Sequence, residues 1–474
     1  MRTNYLLTVA SWLWMAATAV AAPVPATVAS RLHEVGIPLD NAAIVVQEIG
    51  AAQPLVARGA DTPMNPASVM KLVTTFVALE ALGPAFTWKT EAWLDGTLSD
   101  GTLTGNLVLK GGGDPKITLE SFWLLIRDLR QRGLRDIKGD LVLDHSLFGS
   151  SAQDAGRFDD QPLRAYNVGT DALLVNFKAV RFVIAADQDS RTVTVRADPP
   201  LPGLALRNGL RLVNGECGDW KTTVKPTFVN GPDHAEAAFS GSYARGCGEQ
   251  SWTLSFMSHS GYTGNLFRLL WQESGGTLSG QVRDGLFGSG AKLFATLTSP
   301  QLSEIVRDIN KYSNNVMARQ LFLTLDAQAN GAPASAERAA GTVKSLLAKR
   351  GLDFPELSIE NGAGLSRSDR ITAAHLTQLL QGAFASAVMP ELMSSLPLTA
   401  VDGTMKKRLL GSTAAGQSHI KTGTLEGVRS LAGFVLDPKG RRWSVVAIVN
   451  HPNAVNSQGA LDALLQWVAN GPTR

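Results

Sequence analysis

A helix that is apolar nearly all round has to be surrounded, and residues 70–82 spell one. Met70, Val73, Val77 and Leu82 recur at helical spacing, and Leu72, Phe76 and Leu79 fill the remaining sides. Such a segment is buried in a larger core rather than laid on a surface. Asn65-Pro66-Ala67-Ser68 precedes it, with Pro66 suited to a first turn, and Gly83-Pro84 stops it. The covering core has to come from elsewhere in the 474 residues, a length that corresponds to two to four domains.

The material for that core lies at the two ends of the chain. Residues 42–46 read as a buried strand, and 55–58 return after a loop with Gly50 and Pro54, predicting a hairpin. Residues 420–424, 430–436 and 443–449 are three more strand candidates, the last two joined by Asp437-Pro438-Lys439-Gly440. A terminal helix follows at about 459–468. Helices also start at Ser299-Pro300, with Leu302, Ile305, Val306 and Ile309 on one face, and again after Asn314-Asn315. Strands near both ends with helices between predict one discontinuous α/β (α+β) domain made of residues 22–90 and 286–474. Residues 91–285 differ in texture. Short alternating runs are separated by Asp95-Gly96, Asp100-Gly101 and Gly111-Gly112-Gly113-Asp114-Pro115; a helix is expected over 119–132, a strand over 140–143 and a hairpin over 179–184 and 192–195. This is a long insertion, mixed and then β-rich to about Met257, expected as two small domains with a boundary near 150.

Arg2, an apolar run over 5–20 and Ala19-Val20-Ala21 read as a cleavable export signal over residues 1–21, with a membrane anchor as the alternative, which the short run and the closely following Pro23 and Pro25 disfavour. No later segment offers about 18 consecutive apolar residues, so no integral membrane span is expected after signal removal. In an oxidising compartment Cys217 and Cys247, the two cysteines present, are expected to form one disulfide; two free buried thiols are the alternative. Two cysteines allow no paired C-x-x-C metal site, and the seven histidines show no H-E-x-x-H or H-x-x-x-H spacing, which argues against a zinc hydrolase. With 44% hydrophobic and 18% charged residues the chain is globular, and a net charge of +3 makes no case for a nucleic-acid partner.

Three short patterns carry chemistry. Ser68-Val69-Met70-Lys71 opens the apolar helix, where a spacing of three places the Lys71 amine near the Ser68 hydroxyl. Serine needs a base to become a nucleophile, and a buried lysine of lowered pKa can be that base. The same spacing occurs at Ser289/Lys292, in a Gly-rich loop, and at Ser418/Lys421, where a strand would put the two on opposite faces. Ser313-Asn314-Asn315 lies in the break between two helices and reads equally as a cap. Lys421-Thr422-Gly423-Thr424 lies on a strand; lysine there suits an exposed edge, and Gly423 would let a ligand approach the backbone. Each pattern alone is ambiguous.

Together and in this order, Ser-x-x-Lys, Ser-x-Asn and Lys-Thr-Gly resemble the motif set of the penicillin-interacting serine enzymes. Some 245 positions separate Ser68 from Ser313, and 108 separate Ser313 from Lys421. That layout, with Gly112-Gly113-Asp114-Pro115 and Asn361-Gly362-Ala363-Gly364-Leu365-Ser366-Arg367, is similar to the class C low-molecular-mass penicillin-binding proteins, the D-alanyl-D-alanine carboxypeptidase/endopeptidase group. The resemblance implies a DD-peptidase/β-lactamase-like transpeptidase domain and a periplasmic enzyme acting on peptidoglycan stem peptides and cross-links, with β-lactams as covalent inhibitors and no metal or organic cofactor. It implies Ser68 as nucleophile, Lys71 as base, Ser313 and Asn315 as proton relay and peptide clamp, and Lys421, Thr422, Gly423 and Thr424 around the terminal carboxylate. Asp160, in Arg157-Phe158-Asp159-Asp160, and Arg367 are weaker substrate-binding candidates, set against a solvated loop; His419 reads as structural or exposed. A β-lactamase or esterase on the same scaffold would need a deacylating base, for which Glu337, Glu356, Glu360 and Glu391 are on offer, none marked by a pattern. A non-catalytic wall-binding protein is the remaining alternative.

Overall fold

The computed structural model describes residues 21–149, 156–187, 191–231 and 234–473. Of the expected export signal, residues 1–20 lie outside the described residues.

Five antiparallel strands form the sheet that the two chain ends build together. Their order is Ser418–Leu425, Val428–Leu436, Arg442–Asn450, Ala42–Glu48 and Val56–Arg58. In register, Ala42 faces Val449 and Glu48 faces Trp443. Alternate residues enter two different cores, as the period of two requires. Ala42, Ile44 and Val46 pack with Val28 and Leu32 of the helix Ala26–Glu34 and with the terminal helix Gln458–Ala469. Ala43 and Val45 face the other core, with the helices Lys71–Leu82, Leu302–Tyr312 and Asn315–Asn330. Burial on both faces explains why these strands read as nearly continuous apolar runs. The helix Lys71–Leu82 is buried from Lys71 through Leu79.

The insertion has its own core and three sheets. A seven-stranded mixed sheet combines Lys89–Ser99, Thr102–Lys110, Asp136–Ile137 and Leu141–Asp144 with Thr277–Leu278, Val282–Asp284 and Lys292–Thr298. The chain therefore leaves this sheet before residue 150 and rejoins it after a β-rich excursion. That excursion forms two three-stranded sheets between Val180 and Leu254, and the Cys217–Cys247 disulfide is formed there. The sheet also runs past residue 285, where patterning placed the return to the first domain. The Gly-rich stretch before Lys292 reads as a boundary, yet Lys292–Thr298 pairs antiparallel with Lys89–Ser99. The sequence reading missed the helices Ala26–Glu34, Ala336–Ala348, Ala373–Phe384 and Met389–Ser395 and, in the insertion, His259–Glu273. Gly261, Thr263 and Gly264 weaken its helical signal. Tertiary packing overrides propensity here: a Cβ on Gly264 would lie 2.6 Å from Val282 Cγ1.

Candidate active site

Ser68 lies in the short 3-10 turn Ala67–Met70 that feeds the helix beginning at Lys71. The preceding residue, Ala67, holds a φ of 47°, a left-handed conformation unfavourable for alanine. Strain of this kind persists only where the surroundings impose it. Asn65 Oδ1 accepts from the Ala67 N–H at 2.9 Å, and Ser430 Oγ donates to the Pro66 carbonyl at 2.6 Å. The amide of Asn450 donates to the Asn65 carbonyl, and its oxygen accepts from the Asn65 N–H. Gly364 and Gly423 close on the turn from two sides; an added Cβ would meet Ala67 O at 2.0 Å and Pro66 O at 2.7 Å respectively. The room that Gly423 leaves is thus filled by the Ser430 hydroxyl and the Pro66 carbonyl, which brings the edge strand Ser418–Leu425 against the Ser68 turn.

Lys71 is wholly buried. Its Nζ lies 3.0 Å from Ser68 Oγ and donates to Asn315 Oδ1 at 2.6 Å and to the Ala363 carbonyl. Burial holds its pKa well below the ordinary lysine value, helped by the charges of Lys421 and Arg319 and opposed by Asp369. Two of its three neighbours are pure acceptors. A neutral amine has two N–H donors and one lone pair, so donation to Asn315 and Ala363 leaves the lone pair for the Ser68 hydroxyl.

Ser313 is the left-handed residue, φ 56°, that ends the helix Leu302–Tyr312. Asn314 caps the next helix, its side chain accepting from the Met317 N–H at 3.0 Å. The capping reading of this segment is therefore correct for Asn314, and it leaves the flanking residues for the site. Asn315 reaches Lys71, and Ser313 Oγ accepts from Lys421 Nζ at 2.9 Å. Lys421 is also fully buried, which pushes its pKa down to about 7, and it donates to the Thr422 carbonyl as well.

The five residues Ser68, Lys71, Ser313, Asn315 and Lys421 thus converge. Thr422 and Thr424 share the other face of the strand, Thr422 Oγ1 lying 2.8 Å from Thr404 Oγ1 and Thr424 being exposed. Arg367 stands at the rim, donating to Glu426 and stacked 5.1 Å over Phe158. Asp160 is exposed; its neighbour Asp159 organises that loop, accepting from Tyr166 and Asn167. Of the competing serines, Ser418 is fully buried and Ser289 lies in an exposed loop. His419 is half-buried. Among the candidate bases Glu356 is engaged by His375 at 2.7 Å, and Glu360 accepts from Ser366 and Ser368. Sequence reasoning missed Asn65, Asn450, Ser430, Arg319 and Asp369. For Arg319 a signal existed, because it stands four residues after Asn315 and so on the same helical face.

A model of the D-Ala-D-Ala carboxypeptidase 3 (S13) family matches residues 24–470. The chain belongs to that family. Family membership makes it a serine-type D-Ala-D-Ala carboxypeptidase, a penicillin-binding hydrolase. Two curated relatives are a D-alanyl-D-alanine carboxypeptidase of Actinomadura sp., 29% identical over 84% of this chain and 75% of its own, and the carboxypeptidase DacB of Haemophilus influenzae, 25% identical over 86% and 85%. The S13 chain also shares its fold with the crystal structure of penicillin binding protein 4 (dacB) from Haemophilus influenzae. The TM-score is 0.78 at 24% identity, covering 93% of this chain and 99% of that one. The β-lactamase, esterase and wall-binding alternatives for the Ser68 site are not favoured.

Proposed function

We propose that this carboxypeptidase acts through a Ser68 acyl-enzyme formed on the penultimate D-Ala carbonyl of peptidoglycan stem peptides. The observation that carries the assignment is the hydrogen-bond set of Lys71, a buried amine whose two carbonyl acceptors leave its lone pair for Ser68. Lys71 takes the Ser68 proton as Oγ attacks. Backbone N–H groups of Ser68 and Thr424 receive the developing oxyanion, supported by the packing of the edge strand on the Ser68 turn. Lys421 and Ser313 form a relay that returns a proton to the leaving D-alanine, and Lys421, Thr422 and Thr424 hold its carboxylate. Water then releases the acyl group. Cleavage of cross-links uses the same steps with a longer leaving group. The rim formed by Arg367, Phe158 and the 157–160 loop borders the cleft where the stem-peptide side chain lies, with Asp160 as the acid for an amino group. β-Lactams acylate Ser68 and stay. The signal over residues 1–21 takes the protein to the periplasm, and the two ends of the chain, from residue 22 to about 88 and from about 299 on, form the catalytic domain around the inserted region. Intact-protein mass spectrometry after mixing with penicillin tests the nucleophile. Wild type gains one adduct and Ser68→Ala gains none; an adduct that persists in Ser68→Ala removes the assignment.

A further inference from the structure

A second serine in the insertion has a nitrogen base of its own. His145 follows the strand Leu141–Asp144, and its Nδ1 is 2.6 Å from Oδ1 of the largely buried Asp171. Asp171 is fixed in turn, its Oδ1 accepting from the Leu173 N–H at 2.7 Å and its own N–H donating to Gln320 at 3.0 Å. On the far side of the imidazole, Nε2 lies 3.4 Å from Ser260 Oγ. Ser260 stands in the first turn of the fifteen-residue helix His259–Glu273, whose cap is Ser258. The free N–H groups and positive dipole end of such a turn suit a developing oxyanion. These residues line a cavity of about 1190 Å³ that includes none of the three motifs around Ser68.

We infer that Ser260, His145 and Asp171 form a second nucleophilic centre, one that hydrolyses uncharged carboxylic esters. The constellation has the required order, hydroxyl to imidazole to buried carboxylate, at the looser spacing usual without substrate. Ser260 Oγ attacks the ester carbonyl and its proton passes to His145 Nε2. The carbonyl C–O bond to the alcohol breaks, and the alkoxide leaves with that proton. Water repeats the sequence in reverse and frees the acid and Ser260. Three aspartates, Asp144, Asp171 and Asp284, face this cavity against one lysine, Lys178, and that acidic balance disfavours an anionic substrate such as a carboxylate-terminated peptide.

One carboxylate restrains the centre: Asp284 Oδ1 lies 3.4 Å from His145 Nε2, as near as the serine hydroxyl. Ser260 Oγ donates to Asp284 Oδ1 at 2.5 Å, in competition with His145. Asp284 is 65% exposed and can turn to solvent, which releases the hydroxyl to the imidazole. The charges around His145 act in the same direction. Burial opposes its protonation, but Asp171, Asp284 and Asp144 outweigh burial and raise its pKa. Of the other groups facing it, His259 is pushed down to about 4 by burial, and Lys178 is lowered for the same reason.

The test uses full-length Ser68→Ala protein and an alkyl fluorophosphonate, which forms an Oγ–P bond, loses fluoride and gives up the serine proton through the base. One label is expected, mapped to Ser260 by peptide mass spectrometry and absent from Ser260→Ala. In His145→Ala labelling should be at least about a hundred-fold slower, whereas Asp284→Ala should label at least as fast as its parent. The Ser68→Ala protein should also cleave p-nitrophenyl acetate in a Ser260-dependent way. Penicillin acylation of the His145 variant with Ser68 restored reports its folding, and His145→Gln replaces it if that fails. No label on Ser260, or a rate indifferent to both histidine substitutions, overturns the proposal.

Discussion

Ser68 and Ser260 each open a helix, and each has a nitrogen close by, at 3.0 Å and 3.4 Å. What separates them is the field around that nitrogen. Lys71 is wholly buried, faces the cations Lys421 and Arg319, and spends its N–H groups on carbonyl oxygens. Burial and the two cations drive it toward the neutral amine, against Asp369. His145 is ringed by Asp171, Asp284 and Asp144, which favour the imidazolium, and Asp284 also takes the hydroxyl proton of its serine. Distance places a base beside a nucleophile; the surrounding charges decide whether that base is free near neutral pH.

The disulfide tests whether the β-rich sheets of the insertion and the Ser68 centre are independent, and it carries the largest free energy. The Cys217–Cys247 bridge closes a loop across a sequence separation of 30 residues, worth roughly 3–4 kcal/mol by loop-closure entropy. Cys217→Ser should lose about that much stability in urea unfolding while penicillin still acylates the folded fraction at the wild-type rate. A slower rate there would couple the β-rich sheets to Ser68.

Lys71→Arg sharpens the contrast between a base and a mere cation. Guanidinium stays protonated in proteins, so acylation by penicillin should slow at least about a hundred-fold with the fold unchanged by circular dichroism. Near-normal acylation would take the base role from Lys71. Next in size is substrate charge. A stem peptide amidated at its C-terminus loses a charge-assisted hydrogen bond at the Lys421 strand, about 1.5–3 kcal/mol, or roughly ten- to a hundred-fold in rate. Equal rates for acid and amide would show that Lys421, Thr422 and Thr424 do not read the carboxylate.

The smallest effects are shifts along the pH axis, and they have opposite signs. In the mechanism we propose, acylation needs neutral Lys71, so its rate should rise with pH through the depressed Lys71 pKa. Lys421→Gln removes a positive charge, present below about pH 7, that disfavours protonated Lys71; below that pH the rising limb should move to higher pH. Asp369→Asn removes a negative charge that favours it, and the limb should move to lower pH. Asp369 is fully buried, and burial raises its own pKa to about 6, so its shift appears above that pH. Stopped-flow acylation across pH measures both. Two shifts in the same direction would mean that these charges do not set the basicity of Lys71.

The reactive groups at Ser68 were legible through the order and setting of three patterns, at a helix start, an interhelical break and a strand; the spacing of Ser68 and Lys71 alone recurs at Ser289/Lys292 and Ser418/Lys421. The supporting layer was not. Asn65, Ser430 and Asn450 meet only in three dimensions, and an isolated Asn or Ser in a loop looks like any turn residue. Gly364 and Gly423 were visible as glycines, but the carbonyls they admit belong to another part of the chain. The Ser260 centre was opaque for the same reason. His145, Asp171 and Ser260 obey no common period, and the helix that presents Ser260 is glycine-rich. Among the elements, the long apolar strands were readable within a few residues at each end. The return of Lys292–Thr298 to the inserted sheet was not, because antiparallel pairing with a strand near residue 90 leaves no local mark.

The register of the five-stranded sheet has a consequence in time. Ala42 pairs with Val449, so the first core strand to be synthesised waits for one of the last. The hairpin of Lys89–Ser99 and Thr102–Lys110 closes over a short loop and can form while the chain is still growing. Lys71 meets Asn315 and Ala363 only after those segments exist, and the edge strand that braces Ser68 arrives later still. A chain interrupted before residue 418 carries the Ser68-Lys71 pair without its clamp, and so has no means of cutting the polymer its finished form acts on.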